Sequence, residues 1–110
     1  MEPIQTITAS DFEAKVLEAR GPVLLDFYQA TCPPCRVLEP RLERIARQYI
    51  ERVPVYRIDI EHDFSIAARL GVKNIPSLLV FRDGKESERL DGVITEGQLQ
   101  ATFEKAALNR

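Results

Sequence analysis

Two cysteines separated by two residues are the part of this chain best suited to chemistry. Cys32 and Cys35 are the only cysteines among 110 residues, and Pro33 and Pro34 stand between them. In such a pair one thiolate can attack an external disulfide, and the second thiol can resolve the mixed disulfide that forms. The spacing therefore predicts thiol–disulfide exchange, with the Cys32–Cys35 disulfide as the redox-active group and no bound cofactor.

Two other uses of the cysteine pair stay open at this point. A structural disulfide across two intervening residues would remove little chain entropy, which makes it a weak staple. A zinc site needs four ligands, or three and an open position, whereas the chain has one histidine, His62, and no second cysteine pair. A redox dithiol is favoured over both, and no metal site is predicted.

The elements around the cysteines place them where a strand leads into a helix. The apolar run 23–28 follows Pro22 and is typical of a strand buried on both faces. A helical pattern then runs from Cys32 to about residue 50, with an apolar stripe along one side. If Cys32 caps this helix, the helix dipole favours its thiolate. Because the two prolines lack an N–H, only the Cys35 amide can donate to the Cys32 sulfur.

The rest of the chain alternates strands and helices and then forms a hairpin. Further strands are predicted at 53–59, 77–81 and 86–91, helices near 64–70 and through Leu99, Phe103 and Ala106, and a turn at Asp83-Gly84. The order β-α-β-α-β-α-β-β-α predicts an α/β fold with a mixed sheet and helices on both faces. A length of 110 residues predicts one domain, 1–110.

Composition excludes several classes of function. Hydrophobic residues make up 45% of the chain and charged residues 29%, which is typical of a globular domain. The net charge is -2 and no basic stripe is visible, so no nucleic-acid partner is expected. The first residues show no secretory signal, and no apolar run could span a bilayer. We therefore expect a cytoplasmic protein without a membrane partner.

At the cysteine pair the chain resembles the thioredoxin family, and the resemblance covers essentially its whole length. The family has an apolar strand with Asp, then Phe-Trp-Ala-x-Trp-Cys-Gly-Pro-Cys-Lys; residues 26–36 here are Asp-Phe-Tyr-Gln-Ala-Thr-Cys-Pro-Pro-Cys-Arg. Pro40, the stretch 72–76, Gly84 and Gly92 also fall where the family has them. The resemblance implies the thioredoxin fold, with about five strands flanked by four helices, and an enzyme that reduces protein disulfides.

The resemblance also implies a role for each residue near the cysteines. Cys32 is implied as the exposed nucleophile, Cys35 as the resolving thiol, and Asp26 as a buried acid that helps to deprotonate Cys35 through water. Burial among apolar neighbours should raise the pKa of Asp26. Pro76 is implied as a cis-proline that faces the pair. The implied substrate groove consists of Thr31, Pro33, Pro34, Ile75, Pro76, Gly92 and Val93, in which the backbone of Ile75 binds an extended substrate segment.

Departures from the family pattern keep other functions open. The chain has no tryptophan: Tyr28 and Thr31 stand where the family has one, and Pro33 replaces a glycine. Arg57 stands where the family has a lysine near the buried acid, and it could pair with Asp26 but could not share a proton. The alternatives are a specialised reductant or oxidant with few partners and a non-catalytic binding module of the same fold. The favoured interpretation expects disulfide-containing protein substrates, a thioredoxin-reductase-like electron donor and a monomer.

Overall fold

A mixed five-stranded sheet forms the centre of the computed structural model, which describes residues 2–108. The strands are β1 (Gln5–Thr6), β2 (Pro22–Tyr28), β3 (Val55–Asp59), β4 (Ser77–Arg82) and β5 (Lys85–Asp91). Their spatial order is β1-β3-β2-β4-β5, in which β1, β3 and β2 are parallel and β4 is antiparallel to both β2 and β5. The apolar strand β2 therefore lies in the middle of the sheet, and the polar strand β5 lies at an edge.

Four helical segments flank the sheet within the described residues. They are α1 (Ala9–Phe12), which continues as a π-helical segment (Glu13–Leu17), α2 (Pro33–Gln48), α3 (Ser65–Arg69) and α4 (Glu96–Leu108). The α/β class, the mixed sheet and the predicted order of elements are confirmed. The third strand begins at Val55 rather than at residue 53, and α2 ends at Gln48 rather than near residue 50.

The helices divide between the two faces of the sheet. The buried side chains of α2 and α4 pack with Leu24 and Leu78, whereas those of α1 and α3 pack with Leu25 and Phe27. Successive side chains of a strand point to opposite faces, so Asp26 lies on the same face of β2 as Leu24. That face is the one that α2 covers, and the sheet thus directs Asp26 toward the helix that begins at the cysteine pair.

The predicted turn at Asp83-Gly84 joins β4 to β5. Both residues have positive φ, 52° and 82°, which is the backbone that a two-residue hairpin requires. A Cβ at Gly84 would lie 2.2 Å from the carbonyl oxygen of Leu17, so no side chain has room there. This turn therefore packs directly against the end of the first helical segment.

Candidate redox site

Cys32 is the N-cap of α2, and its sulfur is bonded to the sulfur of Cys35. The backbone of Cys32 is extended, with φ -91° and ψ 109°, and its Sγ accepts a hydrogen bond from the Cys35 N–H at 3.2 Å. The two Cα atoms are 5.2 Å apart. Cys32 is half-buried, whereas Cys35 is only 5% exposed. The first cysteine of the disulfide is therefore the more accessible of the two to a reaction partner, and the second is covered.

The start of α2 follows from the residue types. The prolines occupy the first two helical positions, where an N–H would have no partner within the helix. The Cys35 amide at the third position then caps the Cys32 sulfur, as the sequence predicted. Leu38, Leu42 and Ile45 are buried along one stripe and hold the helix against the sheet, and the helix continues through Pro40.

Asp26 is buried in the middle of β2. Its side chain is 5% exposed, and its Oδ1 has no hydrogen-bond partner among the described residues. Its strand neighbours are Arg57 on β3 and Leu78 on β4. Burial raises the pKa of Asp26 from 3.8 to about 7, while the charge of Arg57 lowers this pKa and that of Glu39 raises it. The carboxyl thus changes its protonation state near neutral pH.

Arg57 forms its ion pair with Glu39 rather than with Asp26. Its Nη1 donates to the carboxylate of Glu39 on α2, its Nε donates to Thr6 Oγ1 at 3.1 Å, and its guanidinium lies 5.3 Å from the ring centre of Tyr28. Glu39 is 45% exposed, whereas Asp26 is buried, and burial makes ionisation of Asp26 costly. Sequence reasoning missed Glu39, although it lies one helical turn after Cys35 and so on the same flank of α2.

The loop that leads into β4 lies beside the loop that follows β5. The Ile75–Pro76 peptide bond is cis, as the resemblance implied, and Pro76 is buried. The carbonyl of Pro76 accepts a hydrogen bond from the N–H of Gly92 at 3.0 Å, which ties the two loops together. Gly92 has φ 75°, a left-handed conformation that favours glycine. Ile75 is half-buried, and within residues 2–108 its backbone groups take no part in the hydrogen bonds of the fold.

An apolar groove of about 320 Å³ begins at the prolines of the cysteine pair. It is lined by Pro33, Pro34, Val37, Leu38, Arg41, Val93 and Ile94. Val93 is 79% exposed and Val37 is 54% exposed, so the groove presents apolar surface to solvent. The structure thus brings together three of the predicted groove residues, Pro33, Pro34 and Val93. Thr31 is exposed just before Cys32 and does not line this groove.

Sequence reasoning did not identify the other residues that line the groove. Val37 carried a signal, because it is an apolar residue of α2 that falls outside the buried stripe. Arg41 also lines the groove, and its Nη1 donates to the carbonyl of Ile94 at 3.4 Å. That contact joins residues 53 positions apart, so no local pattern predicts it.

Between residues 2 and 108, no group of three or more His, Cys, Asp and Glu side chains is placed to hold a metal ion. Over the same span, no helix is long and apolar enough to cross a membrane.

A disulfide at the start of a helix, with one cysteine partly accessible and the other buried, is the arrangement of a dithiol–disulfide redox protein. The Thioredoxin family model matches residues 3–105. The chain therefore belongs to the thioredoxin family.

Individual relatives agree with this assignment. The chain is 33% identical over 105 residues to thioredoxin 1 of Synechococcus elongatus, covering 96% of this chain and 98% of the relative. It is 35% identical over 100 residues to a thioredoxin of Pseudomonas aeruginosa, covering 91% and 93%. An asparagine-to-glutamine variant of thioredoxin from Halobacterium salinarum has a similar structure, with a TM-score of 0.84 at 30% identity over 94% of this chain and 90% of that one. The chain is a thiol–disulfide oxidoreductase, and the predicted fold, family and activity are confirmed.

Proposed function

We propose that the chain reduces disulfides in protein substrates, with Cys32 as the nucleophile and Cys35 as the resolving thiol. The observation that carries this proposal is the unequal burial of the two bonded cysteines at the start of α2. Cys32 is the cysteine that a substrate can reach, whereas Cys35 is covered. The dipole of the 16-residue helix α2 favours negative charge at its N-terminus, where Cys32 stands.

The exchange takes two steps from the reduced dithiol. The Cys32 thiolate attacks one sulfur of the substrate disulfide, which breaks the S–S bond and releases one substrate thiolate. Cys35, once deprotonated, then attacks the Cys32 sulfur of the mixed disulfide and releases the second substrate thiolate. The substrate disulfide gains two electrons, and the two cysteines lose two electrons as they form the disulfide seen in the structure.

Asp26 is the proposed base for Cys35. Asp26 points to the face of β2 that α2 covers, and Cys35 is on the buried side of α2. Because burial raises the pKa of Asp26 to about 7, the carboxyl can accept a proton near neutral pH and return it later. Its unpartnered Oδ1 leaves an acceptor available for that proton.

Substrates are proposed to bind as extended segments beside the disulfide. The free backbone groups of Ile75 can pair with such a segment in the manner of an added strand. Pro33, Pro34 and Val93 offer apolar surface to its side chains, and Pro76 and Gly92 shape the loops beside them. Thr31 lies exposed on the approach to Cys32 and is proposed to contact the same segment.

The electron donor, the cellular compartment and the oligomeric state complete the proposal. Membership of the thioredoxin family suggests a thioredoxin-reductase-like electron donor, and the reducing cytoplasm is the compartment in which a dithiol reductant would work. We also propose that the chain acts as a monomer, for which size-exclusion chromatography with light scattering is the test. A mass near 25 kDa, twice the 12.5 kDa of one chain, would contradict that last point.

Reduction of insulin with dithiothreitol as electron donor tests the proposed activity. Wild type should accelerate the reaction, and Cys32→Ser should abolish the acceleration. When reduced Cys35→Ser is mixed with insulin in the absence of dithiothreitol, a mixed disulfide on Cys32 should accumulate. Equal rates for wild type and Cys32→Ser would overturn the proposal.

The direction of electron flow is tested by redox titration against glutathione. A potential near thioredoxin's, about -270 mV, supports a reductant, and a potential near about -120 mV would identify an oxidant instead.

A further inference from the structure

We propose that Glu39 is a positioning residue for the redox reaction, because it holds the Arg57 guanidinium in a place where Arg57 cannot pair with Asp26. This inference rests on the proposed role of Asp26 as the base for Cys35. Glu39 itself touches neither sulfur in this proposal. It acts on the reaction through Arg57, and its effect is to keep the buried carboxyl from being fixed in its ionised form.

Among the described residues, the hydrogen bonds and the ion pair of Arg57 are with residues other than Asp26. Arg57 and Asp26 are paired neighbours on the parallel strands β3 and β2, so an ion pair between them would be the simple expectation. Instead the guanidinium donates to Glu39 on α2 and to Thr6 on β1, and it stacks on the ring of Tyr28. Among the described residues Asp26 forms no ion pair, and its Oδ1 has no hydrogen-bond donor. Of the three partners of Arg57 named above, Glu39 is the one with a negatively charged side chain.

The groups that face Asp26 come from three neighbouring elements. Arg57 faces it from β3, Glu39 acts on it from α2, and its partner on β4 is the apolar Leu78. On its own strand, the titratable neighbour is Tyr28, two positions along β2. The Arg57 charge lowers the pKa of Asp26 and the Glu39 charge raises it. Loss of the Glu39 charge removes the second effect, and it also frees Arg57 to turn toward Asp26. Both consequences favour the ionised carboxylate.

The chemical consequence concerns the resolving step. A carboxylate paired with an arginine is a weaker proton acceptor, because the pair stabilises the ionised form. Each unit by which such a pair lowers the carboxyl pKa reduces its affinity for a proton tenfold. By engaging Arg57, Glu39 leaves Asp26 as a base matched to neutral pH.

Glu39→Gln is the variant that tests this inference. The oxidised protein is used, because Cys35 does not titrate when it is in the disulfide. The carboxyl carbon of Asp26 is followed by NMR as the pH is raised. The midpoint should fall below the wild-type value of about 7. In the reduced protein, the rising limb of the pH–rate profile for insulin reduction should move to lower pH by a similar amount.

Glu43→Gln is the matched control. Glu43 lies one turn further along α2, is 48% exposed, and pairs with Arg47 rather than with a residue beside Asp26. This substitution also removes one negative charge from α2, and it should leave the pH midpoint of Asp26 ionisation unchanged. Arg57→Met gives a second test with the opposite sign: loss of the guanidinium should move the Asp26 midpoint upward.

The possible outcomes separate the two proposals. An Asp26 midpoint that stays at the wild-type value in Glu39→Gln would overturn the role of Glu39, and so would an equal fall in Glu43→Gln. If Asp26→Asn reduces insulin at the wild-type rate across the pH range, the role of Asp26 as base fails. In that case a shifted Asp26 midpoint in Glu39→Gln would still show that Glu39 controls the ionisation of Asp26.

Discussion

Replacement of Asp26 by asparagine should stabilise the oxidised protein by an amount that grows with pH. Asparagine has nearly the shape of a protonated aspartic acid and cannot ionise. The wild-type carboxyl has a pKa of about 7 in the folded protein, because it is buried in the central strand, and an ordinary value of 3.8 when the chain unfolds. The pH dependence of the difference between the two proteins therefore isolates the cost of ionising this one group.

The sign and size follow from linkage. Below about pH 4 the carboxyl is protonated in both states, so the free energy of unfolding does not depend on its ionisation. Between about pH 4 and pH 7 the unfolded chain releases the proton while the folded protein keeps it, so wild type loses about 1.4 kcal/mol of stability per pH unit. Above the pKa of Asp26 in the folded protein, the loss in the free energy of unfolding levels off at about 4 kcal/mol. That is a large part of the stability of a small domain.

Urea denaturation followed by circular dichroism, with the disulfide intact, measures this difference. A change of about 4 kcal/mol corresponds to a shift of about 1 to 4 M in the urea midpoint for a protein of this size. The shift of the Asp26→Asn midpoint relative to wild type, whatever its value at about pH 4, should rise through neutral pH and then become constant. A difference that stays flat from about pH 4 to pH 8 would refute the assignment of Asp26 as a buried, neutral acid.

Three further changes are predicted. Asp63→Asn should show the opposite pH dependence: the carboxylate accepts the first N–H of α1 at 2.6 Å, which lowers its pKa, so the variant should lose about 1 kcal/mol at neutral pH and nothing in strong acid, as measured by urea denaturation. Gly84→Ala should lower the melting temperature by more than about 4 °C, because its Cβ would meet the carbonyl of Leu17. Gly97→Ala is the control: it lies in the exposed first turn of α4, where an added Cβ makes no such contact, and its melting temperature should equal or exceed that of wild type. Equal losses of melting temperature in the two variants would contradict a clash at Gly84. Val93→Asn should leave the urea midpoint unchanged within error but raise the KM for insulin, and an unchanged KM would remove Val93 from the substrate groove.

The fold was largely predictable because its elements differ in hydrophobic period. The continuous apolar run of β2 predicts burial on both faces, and the apolar stripe of α2 predicts burial on one face. The polar character of β5 predicts an edge strand. The Asp83-Gly84 pair predicts the hairpin, because Asp and Gly tolerate the positive φ values that this turn requires. The π-helical turn after Phe12 was not predictable, because the i to i+5 bond from Glu18 to Glu13 leaves no period that differs clearly from an α-helix.

The candidate site was predictable only where local rules apply. The cap on Cys32 follows from the two prolines, and the burial of Asp26 follows from its apolar neighbours in β2. The partner of Arg57 was not predictable from the sequence alone, because Asp26 and Glu39 both lie within reach of its strand position. The choice between them depends on the difference in desolvation, which only three-dimensional packing sets.

The same carboxyl cannot be both strongly paired and a good base near neutral pH. A close ion pair between Asp26 and Arg57 would relieve the cost of burying the acid, but it would also hold the acid ionised well below neutral pH. The structure has no such pair: Glu39 binds Arg57 at the half-exposed edge of α2, and between residues 2 and 108 no donor reaches the Oδ1 of Asp26 in β2. The sheet tolerates this cost since apolar side chains pack on both faces of β2, and any change that pairs Asp26 should exchange reactivity for stability.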